Sequence, residues 1–576
     1  MLSAVFEQSI GALTRRPLRF ALSIGAAWWV LFATAWLIGR IPSDLPTLLL
    51  LLGVAVAVPI ALHLALSPGS RTLAIAIWVQ PPAAALVATS FTTTSGTLAA
   101  VLTLPWGVVA IGSSVAALAR LRRRGIAVPA ELCIDAGLLY FTVGFFWLFL
   151  DRSGLSTAFS SDLLLLTAVH FHFAGLAAGV ASGSAGRYLA QHRLGSARAF
   201  RWVALAVVIG PGLVGLGIAF SRPLETAASI GLAVGLVGLA LITLRHIAPT
   251  TLGVARALLT LSSLSSIVAM TLATIYAVGR ESGQPWIGTG TMVATHGVLN
   301  GIGFALLGLA AWAILDPTPS PKMTSFSRLR SGWHVGPSFL AVATSSTGIA
   351  QQPVGIVDDL AGYDGDGFLA DEVQPDVREF YERTASFDLE VTAVYARGFR
   401  TLAGVYHAIS SRIEQMNVPG PSGDSEPVES AIVPVSQSRD GRPGVRGWIR
   451  TYQRNGRALY VAAYAASRIE DRTFMNIAFP LPGGNLTSVL AIANHPLHSG
   501  GVVLTTRPDA RRGPQGVYFA NPLLPVRLPI NETIAVWPSD RGSPPGPQAI
   551  AHHDIWIIGL PALTLRYKIT RHSASD

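Results

Sequence analysis

Three histidines stand inside long apolar runs: His170 and His172 in LLLLTAVHFHFAG (163–175), and His296 in TMVATHGVLNGIGF (291–304). An ionisable side chain at that depth in a bilayer is costly, and it ordinarily faces a bundle interior, a cavity or a cofactor. Asn300 follows His296 by four residues and shares its helical face. Gly297, Gly301 and Gly303 add a surface that another helix can approach closely. His170 and His172 are two apart, about 200° around a helix, so only one of them readily faces an occupant shared with His296. Imidazole here suits a proton relay, a metal site or haem ligation; the competing expectation is inter-helical hydrogen bonding that fixes packing. No cofactor is demanded by the pattern, and haem or a metal at His170, His172 and His296 is the alternative.

Other chemistry-bearing groups are sparser. Glu131 and Asp135 are four apart at the start of an apolar run and form a candidate carboxylate pair for proton handling. Neutralisation by the neighbouring basic loop, Arg120 to Arg124, is the simpler expectation. Near the C-terminus, His495 and His498, with His552 and Asp554, are residue types that bind metals. His552 and His553 are adjacent, and on a strand they would point to opposite faces. The segment DDLAGYDGDGFLADE reads as a solvated acidic loop, because Leu369 stands where a calcium-binding EF-hand loop requires glycine. There is no G-x-S-x-G, no phosphate loop and no glycine-rich dinucleotide motif in a strand–helix setting, so an enzyme is not the expectation.

The elements that carry these residues divide the chain. Hydrophobic residues make up 51% of it and charged residues only 13%, against a usual charged share of about 25%. Up to about Pro317 charges are confined to short gaps; beyond it they occur at ordinary globular frequency. The expected organisation is a transmembrane helical domain (1–317), a linker (318–372) and a soluble β-rich domain (373–576). Counting runs of about 20 apolar residues predicts about ten spans, at 18–39, 46–66, 72–90, 95–119, 130–150, 161–183, 200–219, 225–245, 253–278 and 290–314. Gln80-Pro81-Pro82 in mid-span suggests a broken helix.

Basic residues fall in gaps that share one side of a ten-span bundle, notably Arg120 to Arg124 and Arg187 to Arg201. That asymmetry predicts a cytoplasmic N-terminus and a cytoplasmic C-terminal domain. It also accounts for most of the formal net charge of +10, so the expected partner is the lipid bilayer and not nucleic acid. Cys133 is the single cysteine, and no intrachain disulfide can form.

After Pro375, PDVREFYERTA reads as a short helix with Val377, Phe380 and Tyr381 on one face. Alternating runs follow, among them FDLEVTAVYA, ALYVAAYAA, LTSVLAIAN and ALTLRYKITR. Asn455-Gly456 between two of them signals a hairpin, and 398–416 a further helix. Such spacing predicts a mostly antiparallel barrel or sandwich. Its cavity would suit an apolar small molecule.

The motif LTAVHFHFAG, followed some 120 residues later by THGVLNGIGF and preceded by ELCIDAGLLYFTVGFFWLFLDRSG, resembles the YndJ family of bacterial membrane proteins. The resemblance covers most of residues 20–315. It implies a polytopic protein of the bacterial plasma membrane, a family labelled as transporters, and it supplies no catalytic or substrate-contacting residue to carry over. The expected function is therefore transport of an unknown substrate, with the β-rich domain binding a ligand or regulating the bundle. A membrane sensor or scaffold, or a haem- or metal-binding redox protein, is the alternative.

Overall fold

A computed structural model describes residues 23, 25–39, 44–66, 70–319, 325–341, 352–365, 367–420, 423–469, 471–508, 513–539 and 546–572. Its contacts divide the chain into two compact units, Met1–Leu121 with Val128–Ser320, and Arg122–Ala127 with Pro321–Asp576.

Among the described residues of the first unit, nine helices are long and apolar enough to cross a membrane. They are α1 (Leu45–Ala65), α2 (Arg71–Ser90), α3 (Thr97–Arg122), α4 (Pro129–Ser153), α5 (Ser161–Gln191), α6 (Arg198–Phe220), α7 (Arg222–Thr250), α8 (Gly253–Glu281) and α9 (Thr289–Leu315). Nine of the ten expected spans are thus present. The first, 18–39, lies partly outside the described residues; the described part holds a shorter apolar helix, Gly25–Leu37. Local signals set the ends. Asp44 caps α1 by accepting from the Thr47 N–H, with Pro46 at the first turn, and Ser160 accepts from the Leu163 N–H to start α5. Gly154, at φ +66°, stops α4 in the left-handed conformation that glycine adopts without strain.

Burial separates central helices from peripheral ones. The apolar window of α1 is 94% buried and that of α5 78%, against 33–50% for the other seven. Both central helices contain a widened π-type stretch, Gly53–Ala57 in α1 and Phe171–Ala177 in α5. Such a stretch frees backbone carbonyls from the i→i−4 ladder. Gln80 Nε2 donates to one of them, Val54 O, at 3.0 Å. This corrects the expectation at Gln80-Pro81-Pro82: α2 runs unbroken from Arg71 to Ser90, and the buried amide ties it to α1 through Nε2.

The second unit is built on twelve antiparallel strands: β1 (Phe387–Tyr395), β2 (Glu426–Pro434), β3 (Arg446–Tyr452), β4 (Ala458–Ile469), β5 (Arg472–Leu481), β6 (Gly484–Asn494), β7 (Val502–Thr505), β8 (Gly516–Ala520), β9 (Pro525–Arg527), β10 (Ile530–Pro538), β11 (Ala549–Ile557) and β12 (Leu560–Arg571). Ten of them close a ring in the order β5-β4-β3-β2-β1-β12-β11-β10-β7-β6, because β6 pairs back onto β5; β8 and β9 extend from β6. The fold is a barrel and not a sandwich. Gly456, at φ +67°, turns the β3–β4 connection at the expected Asn-Gly.

The two expected helices are α10 (Pro375–Glu382) and α11 (Arg400–Ile413). Val377, Phe380 and Tyr381 of α10 pack into the barrel core with Phe387, Leu389 and Trp448. Part of the stretch read as linker also packs there: Ile356, Leu360, Tyr363 and Phe368 are buried in the same core.

Candidate functional site

Helices α1 and α5 to α9 line a half-open cavity of about 260 Å³. His170 of α5 lines it, as do His296 and Asn300 of α9. The hydrogen bonds of both histidines define their protonation. His170 Nε2 lies 3.3 Å from Pro211 O, and His296 Nδ1 lies 2.8 Å from Ala269 O. A carbonyl oxygen can only accept, so each of these nitrogens carries hydrogen and donates. The other nitrogens, His170 Nδ1 and His296 Nε2, remain as acceptors in the neutral imidazoles. Asn300 is 8% exposed, and its buried Oδ1 has no hydrogen-bond partner among the described residues. A buried carbonyl left in that state is costly, on the order of 1–3 kcal/mol. The two ring acceptors and the Asn300 amide thus line one space.

Glu225 at the start of α7 and Arg280 at the end of α8 form the charged part of the wall. Arg280 Nη1 is 2.9 Å from Glu225 Oε1, and its guanidinium sits 5.7 Å from the centre of the Tyr276 ring. The pair is neutral overall, so the cavity carries acceptors without a net charge.

His172 is placed elsewhere. It is 1% exposed and wedged between α3 and α4, with Trp106 Nε1 donating to its Nε2 at 3.1 Å. Its Nδ1 therefore carries the hydrogen and donates to Ala168 O at 2.7 Å. With both nitrogens engaged, His172 has no lone pair for a ligand. Of the three candidates, His170 and His296 come together and His172 fixes packing, as the opposite directions of His170 and His172 required.

Glu131 and Asp135 are fully buried and paired. Arg120 meets Glu131 Oε2 and Asp135 Oδ1, each at 2.8 Å, and Arg187 grips Glu131 at 2.6 and 2.9 Å through Nε and Nη2. Both arginines also donate to the last carbonyls of α1: Arg120 to Ala65 O at 2.6 Å and Arg187 to Leu64 O at 2.7 Å. Those carbonyls have no intrahelical donor, so the guanidinium groups serve as the helix cap. Neutralisation, not a free carboxylate pair, is what the geometry supplies. Two arginines counted towards the basic loops are thus core residues.

In the second unit, His495, His498 and His552 gather around Trp537. His498 stacks on that ring at 4.6 Å, His552 meets it edge-on at 4.8 Å and His495 lies at 5.7 Å. His495 Nδ1 accepts from the backbone N–H groups of Leu497 and His498. Asp554 accepts from Thr564 Oγ1 at 2.6 Å. Among the described residues no group of three or more His, Cys, Asp or Glu side chains could hold a metal ion. Burial lowers the pKa of His495 and of His552, which favours neutral rings beside Trp537. His553 points the other way, inward, as strand alternation demands.

The sequence reading passed over Glu225 and Arg280 and assigned Arg187 to a basic loop. Glu225 had a signal, as a carboxylate at the head of an apolar run. Its partner, 55 residues away, had none.

The nine spans among the described residues and the closed barrel define a multi-pass membrane protein that also carries a β-barrel domain. Residues 48–304 match the family described as "YndJ: YndJ-like protein". The chain is 28% identical, over 472 residues, to the protein described as "Uncharacterized membrane protein YndJ" of Bacillus subtilis (strain 168). That similarity spans 81% of this chain and 83% of the relative, and is too long to be confined to the membrane half. No solved structure matches the chain.

Proposed function

We propose that the membrane half moves a small hydrogen-bond-donating solute, neutral or singly cationic, across the bacterial plasma membrane. The observation that carries this reading is the convergence of two ring acceptors, on His170 and His296, and of the Asn300 amide on one cavity whose charged lining residues, Glu225 and Arg280, pair with each other. Its volume of about 260 Å³ suits a compact solute, since pockets for drug-sized ligands run from about 300 to 1,000 Å³.

The two ends of the bundle differ in a way that suits alternating access. His170 and Arg187 stand on the same helix, α5, 17 residues apart. At 1.5 Å per residue the cavity and the four-charge cluster are separated by about 25 Å along it. The cluster ties α1, α3, α4 and α5 together at one end while the cavity lies towards the other. With the N-terminus and the barrel cytoplasmic, the cavity belongs to the outer half and the cluster closes the inner one.

Uptake of radiolabelled methylammonium and urea into proteoliposomes tests the reading. Transport of either by the wild type, lost in His296→Ala and in Asn300→Leu, is expected. Uptake no faster than in empty vesicles for both solutes, or wild-type rates in both variants, would sink it. Binding without uptake would move the protein to the sensor class.

A further inference from the structure

The barrel lumen holds a second set of polar groups that transport does not use. Arg450 lies on β3 two residues from Trp448, and alternate residues of a strand share a face. Arg450 is 7% exposed, with its guanidinium 4.1 Å from the centre of the Trp448 ring and 4.5 Å from that of Tyr460. Those faces stabilise its charge without occupying its N–H donors. Among the described residues nothing accepts a hydrogen bond from the Arg450 guanidinium, and its buried Nε has no partner. Tyr381 and Tyr567, whose buried hydroxyls likewise lack partners among the described residues, contribute to the lining of the same space. Glu532, also in the lumen, does not serve Arg450: its carboxylate takes a hydrogen bond from His553 at 2.7 Å.

A buried guanidinium is expensive unless an anion or hydrogen-bond acceptors meet it. The space left beside these groups is about 60 Å³. One water needs only about 10–15 Å³ measured in this way, so the lumen has room for a group of several heavy atoms. Burial also pushes the Tyr464 hydroxyl up to about 12 and raises those of Tyr460 and Tyr567, although Arg450 pulls the other way. All three remain O–H donors at neutral pH.

We propose that the barrel lumen is a binding site for a compact carboxylate, seated on Arg450 with the Tyr567 hydroxyl as a further donor. A planar carboxylate matches the guanidinium fork, which the two aromatic rings hold in place. The volume suits a formate- or acetate-sized group. That group is either a free small acid or the head of a longer molecule whose tail displaces the lumen's apolar side chains.

Calorimetric titration of the full-length, detergent-purified protein at constant ionic strength tests this, with acetate and octanoate as probes. Saturable binding of one or both is expected, at least tenfold weaker in Arg450→Met and measurably weaker in Tyr567→Phe. Acetate binding identifies a free small acid; octanoate binding alone identifies the head of a chain. No binding of either probe would overturn the proposal, as would wild-type affinity in both variants. Should Arg450→Met fail to fold, the near-isosteric Tyr567→Phe decides. Chloride displacing acetate at equal concentration would show a site for any small anion and overturn the carboxylate assignment.

Discussion

Trp106 Nε1 donates a hydrogen bond to His172 Nε2 at 3.1 Å, and the two rings lie nearly parallel, 11° apart. That bond decides the role of His172, because it consumes the lone pair that a metal, haem or solute would need. Gly144 of α4 makes the arrangement fit: a Cβ there would come within 2.9 Å of His172 Nδ1.

His172→Ala should therefore act on stability and not on the cavity. It orphans the Trp106 N–H, at about 1–3 kcal/mol, and removes buried packing besides. The thermal midpoint in detergent should fall, while the folded fraction keeps wild-type uptake. Unchanged stability with lost uptake would return His172 to the functional site.

Asn300→Leu should do the reverse. The native Oδ1 has no partner, so its removal relieves a cost on the order of 1 kcal/mol and leaves the thermal midpoint equal or higher. Methylammonium or urea uptake should drop at least tenfold. A large loss of stability would mean that the amide is structural.

Glu131→Gln should be among the most damaging single changes in the membrane half. It leaves Arg187 and Arg120 buried without their shared carboxylate, a disruption of about 3–5 kcal/mol by analogy with other buried pairs. Arg187→Lys should not restore what is lost, because lysine cannot make the two-point contact with Glu131 and still reach Leu64 O. Yield and thermal midpoint of the two variants check this; wild-type stability in Glu131→Gln would refute it.

The barrel should lose stability in acid through Glu532. Burial alone would raise its pKa, but the hydrogen bond and charge of His553, with the Ser488 hydroxyl, hold it below the ordinary 4.5. A carboxyl with a depressed folded pKa contributes stability above the unfolded value, and that contribution is lost as pH falls through the folded one. Hydrogen exchange of β10 and β11, corrected for its intrinsic pH dependence, should show full protection at pH 7 and a decline below about pH 4.5. Glu532→Gln should flatten that decline. An unaltered profile in the variant would assign acid sensitivity to other groups.

Much of the architecture was legible because its signals are local. Apolar runs of span length mark α1 to α9, and ten of the twelve strands show in alternating or apolar runs: β1 is buried at every second position through most of its length, β4 almost continuously. The two that were missed have physical reasons. β2 (EPVESAIVP) contains two prolines and two charges, and β9 is only three residues long. Barrel closure was not legible, since it depends on β6 pairing with β5 along one edge and with β7 and β8 along the other.

The candidate site divides in the same way. By itself the sequence determined that His170, His172 and His296 lie within spans, that His170 and His172 face apart, and that Asn300 sides with His296. Helical periodicity and hydropathy suffice for that. Only the tertiary structure decided which histidine meets the cavity, which tautomer each adopts, and that Glu225 pairs with Arg280 and Glu131 with Arg187. Likewise, strand alternation put Arg450 and Trp448 on one face, and only closure made that face the inside of a barrel. Those outcomes rest on contacts between residues tens to more than a hundred positions apart, which no local pattern encodes.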